Sequence, residues 1–170
     1  QFCNFEDIPY IVICAQIMKR LPQRYICYQM EQTINSRWLT EQYFTIMRNA
    51  YAVWDYSLVN ISYFSQYPEL KKKLYYVPLG ITEESVIYSL PEAQQDYDIL
   101  FYGDANCDRR RKFLQELQKE FSVRVESNLF GEAMQDAIRK SKIVINIHYY
   151  EDALLETTRV AEILSLGGSI

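Results

Sequence analysis

The chain has 170 residues, of which 49% are hydrophobic, and a formal net charge of −4. This length fits one ordinary domain or parts of two small ones, with enough apolar residues for a core. No apolar run reaches membrane-spanning length, and the mild negative charge does not favour nucleic acid as a partner. Because the chain does not begin with Met and ends where a strand begins to form, we expect a fragment of a longer protein.

Alternating strand and helix patterns cover the first 80 residues. Apolar runs predict strands at 10–14, 24–29, 51–54 and 74–77. The first two runs are continuously apolar, which is typical of parallel strands with both faces covered by helices. Helical spacing predicts a helix over 38–50 and another from an N-cap at Asp55 or Ser57 to residues 64–67. Pro68 and the lysines at 71–73 are expected to end this second helix.

The four cysteines are Cys3, Cys14, Cys27 and Cys107. They lie far apart and form no CxxC pair, and Cys14 and Cys27 lie in apolar runs, where a small buried thiol is common. This usage favours a reducing, cytoplasmic setting and argues against a zinc site.

The pattern becomes polar over residues 81–96, with Pro91, as in an interdomain linker. Strands are then predicted at 98–102, 123–125 and 143–148, and helices at 109–121 and 132–140, with Phe113, Leu114, Leu117 and Phe121 facing inward. A last helix ends at Gly167-Gly168, where a left-handed cap is favourable, and the chain then begins another strand. This alternation predicts an α/β fold with two incomplete doubly wound parallel-sheet layers.

Ligands of open α/β sheets bind beyond the carboxyl ends of the strands. There, residues 103–106 follow a strand and precede Arg109, Arg110 and Arg111 at a helix start. Cations at that position oppose the helix dipole unless an anion binds, and arginine matches phosphate oxygens. The alternative is that these arginines point to solvent or pair with nearby acids. The loop lacks GxGxxG and the Walker lysine pattern, which gives no support to a hydride-transfer cofactor or to P-loop hydrolysis.

Three further residues have both a structural and a functional interpretation. Glu162 lies mid-helix and faces either solvent or a cleft, where an acceptor-only group suits ribose hydroxyls. His148, the only histidine, follows a strand on the same side as Asn146 and is either structural or catalytic. Glu31 follows the strand at 24–29 and is either a loop acid or a base.

Six ordered segments carry a resemblance to a known family. They are 28–32, 53–57 with Asn60, 76–80, 99–103 with Asn106 and Arg109-Arg110, 142–148, and 159–162 with Gly167. In this order they resemble a GT-B glycosyltransferase of the group-1 type, and most closely the branch related to spore-maturation CgeB-like proteins. The resemblance implies two Rossmann-like domains that face each other across a cleft.

The resemblance divides the chain into three parts. Residues 1–80 would be the C-terminal part of the acceptor-side domain, 81–97 the linker, and 98–170 the N-terminal part of the domain that binds a nucleotide-sugar. The implied reaction moves a sugar from a nucleoside diphosphate-sugar donor to a hydroxyl of a glycan, lipid-linked or protein acceptor. It needs no cofactor and no metal, and nothing indicates a membrane surface as a partner.

The same resemblance assigns residues to the donor site. Arg109 or Arg110 would meet the diphosphate, Glu162 the ribose or sugar hydroxyls, and Gly167-Gly168 would allow close backbone approach to the phosphates. Arg159 lies three residues before Glu162 and is expected to hold it ionised. The expected donor-binding residues are Gly103, Asn106, Arg109, Arg110, Arg159, Glu162, Gly167 and Gly168, and the catalytic candidates are His148 and Glu31.

Two departures from the family pattern leave rival hypotheses open. The usual Glu-x7-Glu pair lacks its first member, because Leu154 stands eight residues before Glu162 and Glu156 is out of register. The fragment would also lack the start of the acceptor domain and the end of the donor domain. A second hypothesis is therefore a non-catalytic sugar- or nucleotide-binding or assembly protein of the same fold, and a third is a nucleotide-sugar epimerase.

Overall fold

The computed structural model describes residues 5–80 and 94–170. The chain divides into two compact units, Gln1–Pro78 (unit 1) and Leu79–Ile170 (unit 2). Each unit contains a small parallel sheet with helices, so the α/β class is confirmed, and the arrangement is compatible with a Rossmann-like fold. Most of the linker predicted at 81–97 lies outside the described residues.

Unit 1 has four strands in the consecutive order β1-β2-β3-β4, all parallel. Its elements are β1 (Tyr10–Ile13), a 3-10 helix (Ala15–Ile17), β2 (Tyr25–Gln29), α1 (Glu41–Asn49), β3 (Ala52–Asp55), α2 (Leu58–Phe64), α3 (Pro68–Lys71) and β4 (Leu74–Tyr76). The Ser57 side chain accepts a hydrogen bond from the Asn60 backbone N–H and caps α2. Pro68 begins α3 instead of only ending α2, because its fixed φ suits a first helical position.

The sheet of unit 1 is covered on one face. Right-handed crossovers between consecutive neighbours place every helix on the same side, and Met47, Phe64 and Leu70 pack there with Cys27. On the opposite face, Ile11 and Ile13 of β1 are 55% and 56% exposed. The expectation that both faces of the first strand are covered is therefore wrong.

Unit 2 has three parallel strands in the order β6-β5-β7. Its elements are β5 (Tyr97–Tyr102), α4 (Asp108–Leu117), β6 (Val123–Glu126), α5 (Gly131–Arg139), β7 (Ser141–Val144) and α6 (Thr157–Ser165). The chain leaves β5 for one neighbour and returns to the other side of it, so a topological switch point lies at the carboxyl end of β5.

Helices cover both faces of this second sheet. Leu114 of α4 packs on one face with Phe101, whereas Ile138 of α5 and Ile163 of α6 pack on the other with Leu100. This is the two-sided burial expected of a doubly wound sheet.

Three predictions for unit 2 need comment. Phe113 and Phe121 are exposed, contrary to the expected inward face of this helix: α4 buries only a narrow stripe, and it ends at Leu117, before Phe121. The strand predicted at 143–148 is observed at 141–144 as β7, so residues 145–148 lie beyond its end. Gly167 has φ +71 and ends α6 in the left-handed region, which confirms the predicted cap.

Candidate functional site

Arg110 is the most deeply buried cation of unit 2, and its guanidinium joins three segments. Its Nε donates to the carbonyl oxygen of Ile147 at 2.8 Å and its Nη1 to that of Asp104 at 2.7 Å. Nη2 donates to Oε1 of Glu156 at 3.1 Å. Burial lowers the pKa of Arg110, an effect that the neighbouring Glu156 carboxylate opposes. Arg110 therefore ties the loop after β5 to the segment after β7.

Glu156 connects this arginine to a second one. Its other oxygen, Oε2, lies 3.0 Å from Nη2 of Arg159, one turn into α6. Arg159 also donates from Nη1 to Oδ1 of Asn146 at 3.2 Å, and its guanidinium lies 5.0 Å from the centre of the Tyr102 ring. Two arginines that share one carboxylate give this strand end the charge and the donors that an anion needs.

Glu162 lies three residues after Arg159 in sequence but has a different partner. The Tyr102 hydroxyl donates to its Oε2 at 3.0 Å. The expectation that Arg159 holds Glu162 is therefore wrong, because Arg159 pairs with Glu156. Burial, and then the Glu162 charge, raises the pKa of Tyr102, so this tyrosine stays a neutral donor. One carboxylate oxygen and a phenol thus face each other at the end of β5.

Gly103 directly follows β5 and lies against the guanidinium of Arg159. Its φ of +132 lies in a region that residues with a Cβ rarely adopt, and a Cβ placed there would come 3.0 Å from Nη2 of Arg159. The glycine is needed for both the backbone turn and the position of the guanidinium. The predicted site residues that meet at this strand end are Gly103, Arg110, Arg159 and Glu162.

Three further predicted residues of unit 2 are Arg109, Asn106 and His148. Arg109 is exposed over the Phe113 ring, and the Asn106 side chain accepts a hydrogen bond from exposed Arg111. Arg111 also pairs with Asp108, as the alternative interpretation of these arginines held. His148 is half-buried in the segment between β7 and α6.

The glycine pair lies at the opposite end of α6. A Cβ on Gly168 would come 2.9 Å from Ile138 and from Ile163, so this residue packs against α5. Gly167 follows Arg159 by eight residues, most of them in α6, which is roughly 12 Å at the usual helical rise. Gly167-Gly168 therefore does not belong to the arginine cluster, contrary to the expected common cleft with Gly103.

Unit 1 has its own polar cluster at the ends of β2 and β3. Gln29, Asp55 and Asn60 are fully buried. The Asp55 carboxylate accepts hydrogen bonds from Gln29 at 2.9 Å, from the Ser57 backbone N–H at 2.8 Å and from Asn60 at 3.2 Å. Burial raises the pKa of Asp55 to about 6 although these bonds oppose the shift.

Glu31 is positioned by this cluster. Its backbone N–H donates to Gln29, and its carbonyl oxygen accepts from Gln29 and Asn60. Its carboxylate accepts from Gln16 at 2.7 Å and from Ser36 at 3.1 Å. Burial raises the pKa of Glu31, and the two side-chain bonds counteract part of that effect. A part-exposed carboxylate of raised pKa is suited to accept a proton.

Two residues of the unit 2 cluster were not identified from the sequence. Glu156 looked out of register, and Tyr102 looked like an ordinary strand residue. The spacing of three residues between Glu156 and Arg159 was the available signal, because opposite charges at that spacing face each other on a helix.

Comparison of the chain with protein-family models, with curated proteins and with solved structures finds no match. In residues 5–80 and 94–170, no group of three or more His, Cys, Asp or Glu side chains is placed to hold a metal ion. Across the same residues, every helix is too short or too polar to span a membrane.

Proposed function

We propose that unit 2 binds a nucleoside diphosphate-sugar at the carboxyl ends of β5 and β7, and that the protein is a glycosyltransferase of the GT-B type. The observation that supports this most is the convergence of Arg110, Arg159 and Glu162 with Gly103 at the switch point of the sheet. Switch points are where open α/β sheets bind nucleotides.

Each residue of the cluster has a role in this proposal. Arg159, the more exposed of the two arginines, contacts the diphosphate beside Gly103. Arg110 holds the surrounding loops through two backbone carbonyl oxygens, and its Nη2, which pairs with Glu156, is a second donor for the diphosphate. Glu162 accepts hydrogen bonds from ribose or sugar hydroxyls, with Tyr102 fixing its orientation.

The chemical step follows from these roles. Arginine stabilises the charge that develops on the departing diphosphate, which in a water-poor site supplies much of the rate. Glu31 is the candidate base within unit 1, because burial raises its pKa. His148 remains the alternative candidate for proton transfer.

A non-catalytic binder of nucleotides or sugars is the second candidate. Leu154 stands where the family pattern has its first glutamate, which removes one polar contact to the donor sugar. A binder would keep Arg159 and Glu162 but release no nucleotide from a nucleotide-sugar.

Calorimetric titration of UDP, GDP and ADP, each beside its nucleoside, tests the binding site. Arg159→Ala should weaken the preferred diphosphate about 10- to 100-fold, the value of a charge-assisted phosphate contact, and change nucleoside binding much less. Arg109→Ala, which removes an exposed arginine, is the matched control. Equal loss of both ligands on Arg159→Ala would contradict the diphosphate assignment.

Glu162→Gln and an activity assay complete this test. The variant should keep the fold and weaken the nucleotide-sugar by roughly 10- to 100-fold, because ribose hydroxyls lose a charged acceptor. Release of the nucleoside diphosphate from a nucleotide-sugar then separates an enzyme from a binder. Binding of the nucleotide-sugar without release of the nucleoside diphosphate, whichever acceptor is added, would favour the non-catalytic candidate.

A further inference from the structure

The carboxylate of Glu156 occupies the donors that a bound anion would need. Oε1 lies 3.1 Å from Nη2 of Arg110, and Oε2 lies 3.0 Å from Nη2 of Arg159. The side chain of Glu156 is 29% exposed, against 5% for Arg110 and 14% for Arg159. The carboxylate is therefore the member of this trio that is most open to solvent.

Charge makes this arrangement incompatible with simple addition of a diphosphate. Each arginine is already paired with one oxygen of Glu156, and an incoming phosphate would compete for the same N–H groups. It would also bring like charges within a few ångströms of each other, where repulsion is strong in a part-buried site. An anion can take the N–H groups that Glu156 now occupies on both arginines only if the Glu156 side chain leaves.

The backbone allows that departure. Glu156 directly precedes α6, and its side chain makes no capping hydrogen bond to the helix. Its carbonyl oxygen accepts from the Val160 N–H, so the start of α6 is held by the main chain and not by the carboxylate. Rotation of the side chain towards solvent costs the two ion pairs but leaves the helix intact.

We propose that Glu156 is a displaceable internal anion, which neutralises Arg110 and Arg159 in the empty site and gives way to the diphosphate of the ligand. This inference rests on the proposed function of unit 2. It also accounts for selectivity, because only a ligand with several negative charges can replace both ion pairs. A nucleoside or a singly charged carboxylate leaves Glu156 in place.

The test compares UDP, GDP and ADP binding by the wild-type protein and by Glu156→Gln. Removing the competing charge should tighten binding of the preferred diphosphate about three- to tenfold, the range expected for part-exposed ion pairs. Glu156→Ala, which removes both carboxylate oxygens of this side chain, should change the affinity in the same direction. Glu116→Gln is the matched control, because Glu116 is a 71% exposed carboxylate of α4 that pairs with Lys119. The diphosphate affinity of this variant should stay within about twofold of the wild type.

The outcomes separate the inference from the function on which it rests. Tighter binding by Glu156→Gln, with folding verified by circular dichroism, supports the displacement. Equal or weaker binding by both Glu156 variants, in a protein whose wild type binds, overturns it and makes Glu156 a positioning residue for the arginines. If neither the wild type nor the variants bind any of the three diphosphates, the proposed function fails and the inference fails with it.

Discussion

The two units place polar clusters at the same structural position, the carboxyl ends of parallel strands, but build them differently. In unit 1, Asp55 is fully buried and receives hydrogen bonds from Gln29 and Asn60. In unit 2, Arg110 and Arg159 share a carboxylate that is part-exposed. The polar groups of the first cluster bond to one another and to the following loop, which they stabilise. The second cluster contains a charged carboxylate that solvent can reach.

Sheet order explains the difference. The strands of unit 1 follow one another in sequence, so its strand order does not reverse. In unit 2 the helices that follow β5 and β7 pack on opposite faces of the sheet, and open α/β sheets bind ligands at such a reversal. A polar residue after a strand is thus a ligand candidate mainly where the strand order reverses.

Arg110→Ala tests most strongly whether the cluster of unit 2 also has a structural role. We expect unit 2 to lose about 3 kcal/mol of unfolding free energy, because two backbone carbonyl oxygens, one of them in a buried hydrogen bond, and Glu156 lose their partner. Hydrogen exchange of the β5 amides measures this loss, since both tryptophans, Trp38 and Trp54, lie in unit 1.

The adjacent arginine provides the control. Arg109→Ala should change the same free energy by no more than about 0.5 kcal/mol, because Arg109 is exposed. Similar losses in both variants would show that burial of Arg110 contributes nothing specific.

Asn60→Ala tests the inward-directed cluster of unit 1. The variant leaves the Thr33 N–H without its acceptor and removes donors from Glu31 and Asp55, so we expect a loss of about 2 kcal/mol. Ser57→Ala removes only the cap of α2 and should cost about 1 kcal/mol. Denaturation followed by Trp54 fluorescence gives the unfolding free energy of both variants. A loss in Asn60→Ala no larger than that in Ser57→Ala would contradict a stabilising role of the buried cluster.

The pH dependence of unit 1 should carry the signature of Asp55. Burial raises the pKa of Asp55 from 3.8 to about 6. Between these two pH values the folded state keeps a proton on Asp55 that the unfolded chain has released. Its contribution to stability is fully present below about pH 4 and is lost as the pH rises to about 6, at no more than about 1.4 kcal/mol per pH unit. Asp55→Asn should lack this slope when wild type and variant are unfolded in parallel, and identical slopes would contradict the assignment.

The order of strands and helices could be predicted because the apolar runs are continuous and the helices have clear spacing. The end of β7 could not, since Ile145 and Ile147 stay apolar after the strand stops. Ile147 packs with Phe101 and Leu114 and not in the sheet ladder. The apolar side chains of Ile145 and Ile147 indicate that this segment is buried, but a buried segment need not be a strand.

Only part of the site could be predicted, because tertiary packing decides which polar residues meet. Neighbouring Arg109 and Arg110 have opposite environments, which depend on how α4 is rotated against the sheet. Glu156 lies in an irregular segment without periodicity and meets Arg110 across 46 residues of sequence. Such a contact depends on tertiary packing, so a local pattern cannot reveal it.

We propose that the reversed strand order makes the cluster of unit 2, and not that of unit 1, the nucleotide site. Amide chemical-shift mapping during a UDP, GDP or ADP titration tests it most directly. We predict shifts at Gly103, at the segment between β7 and α6 and at the start of α6, with residues 29–36 and 55–60 of unit 1 unchanged. Shifts confined to the cluster of unit 1, or no shifts with any of the three nucleotides, would contradict the account.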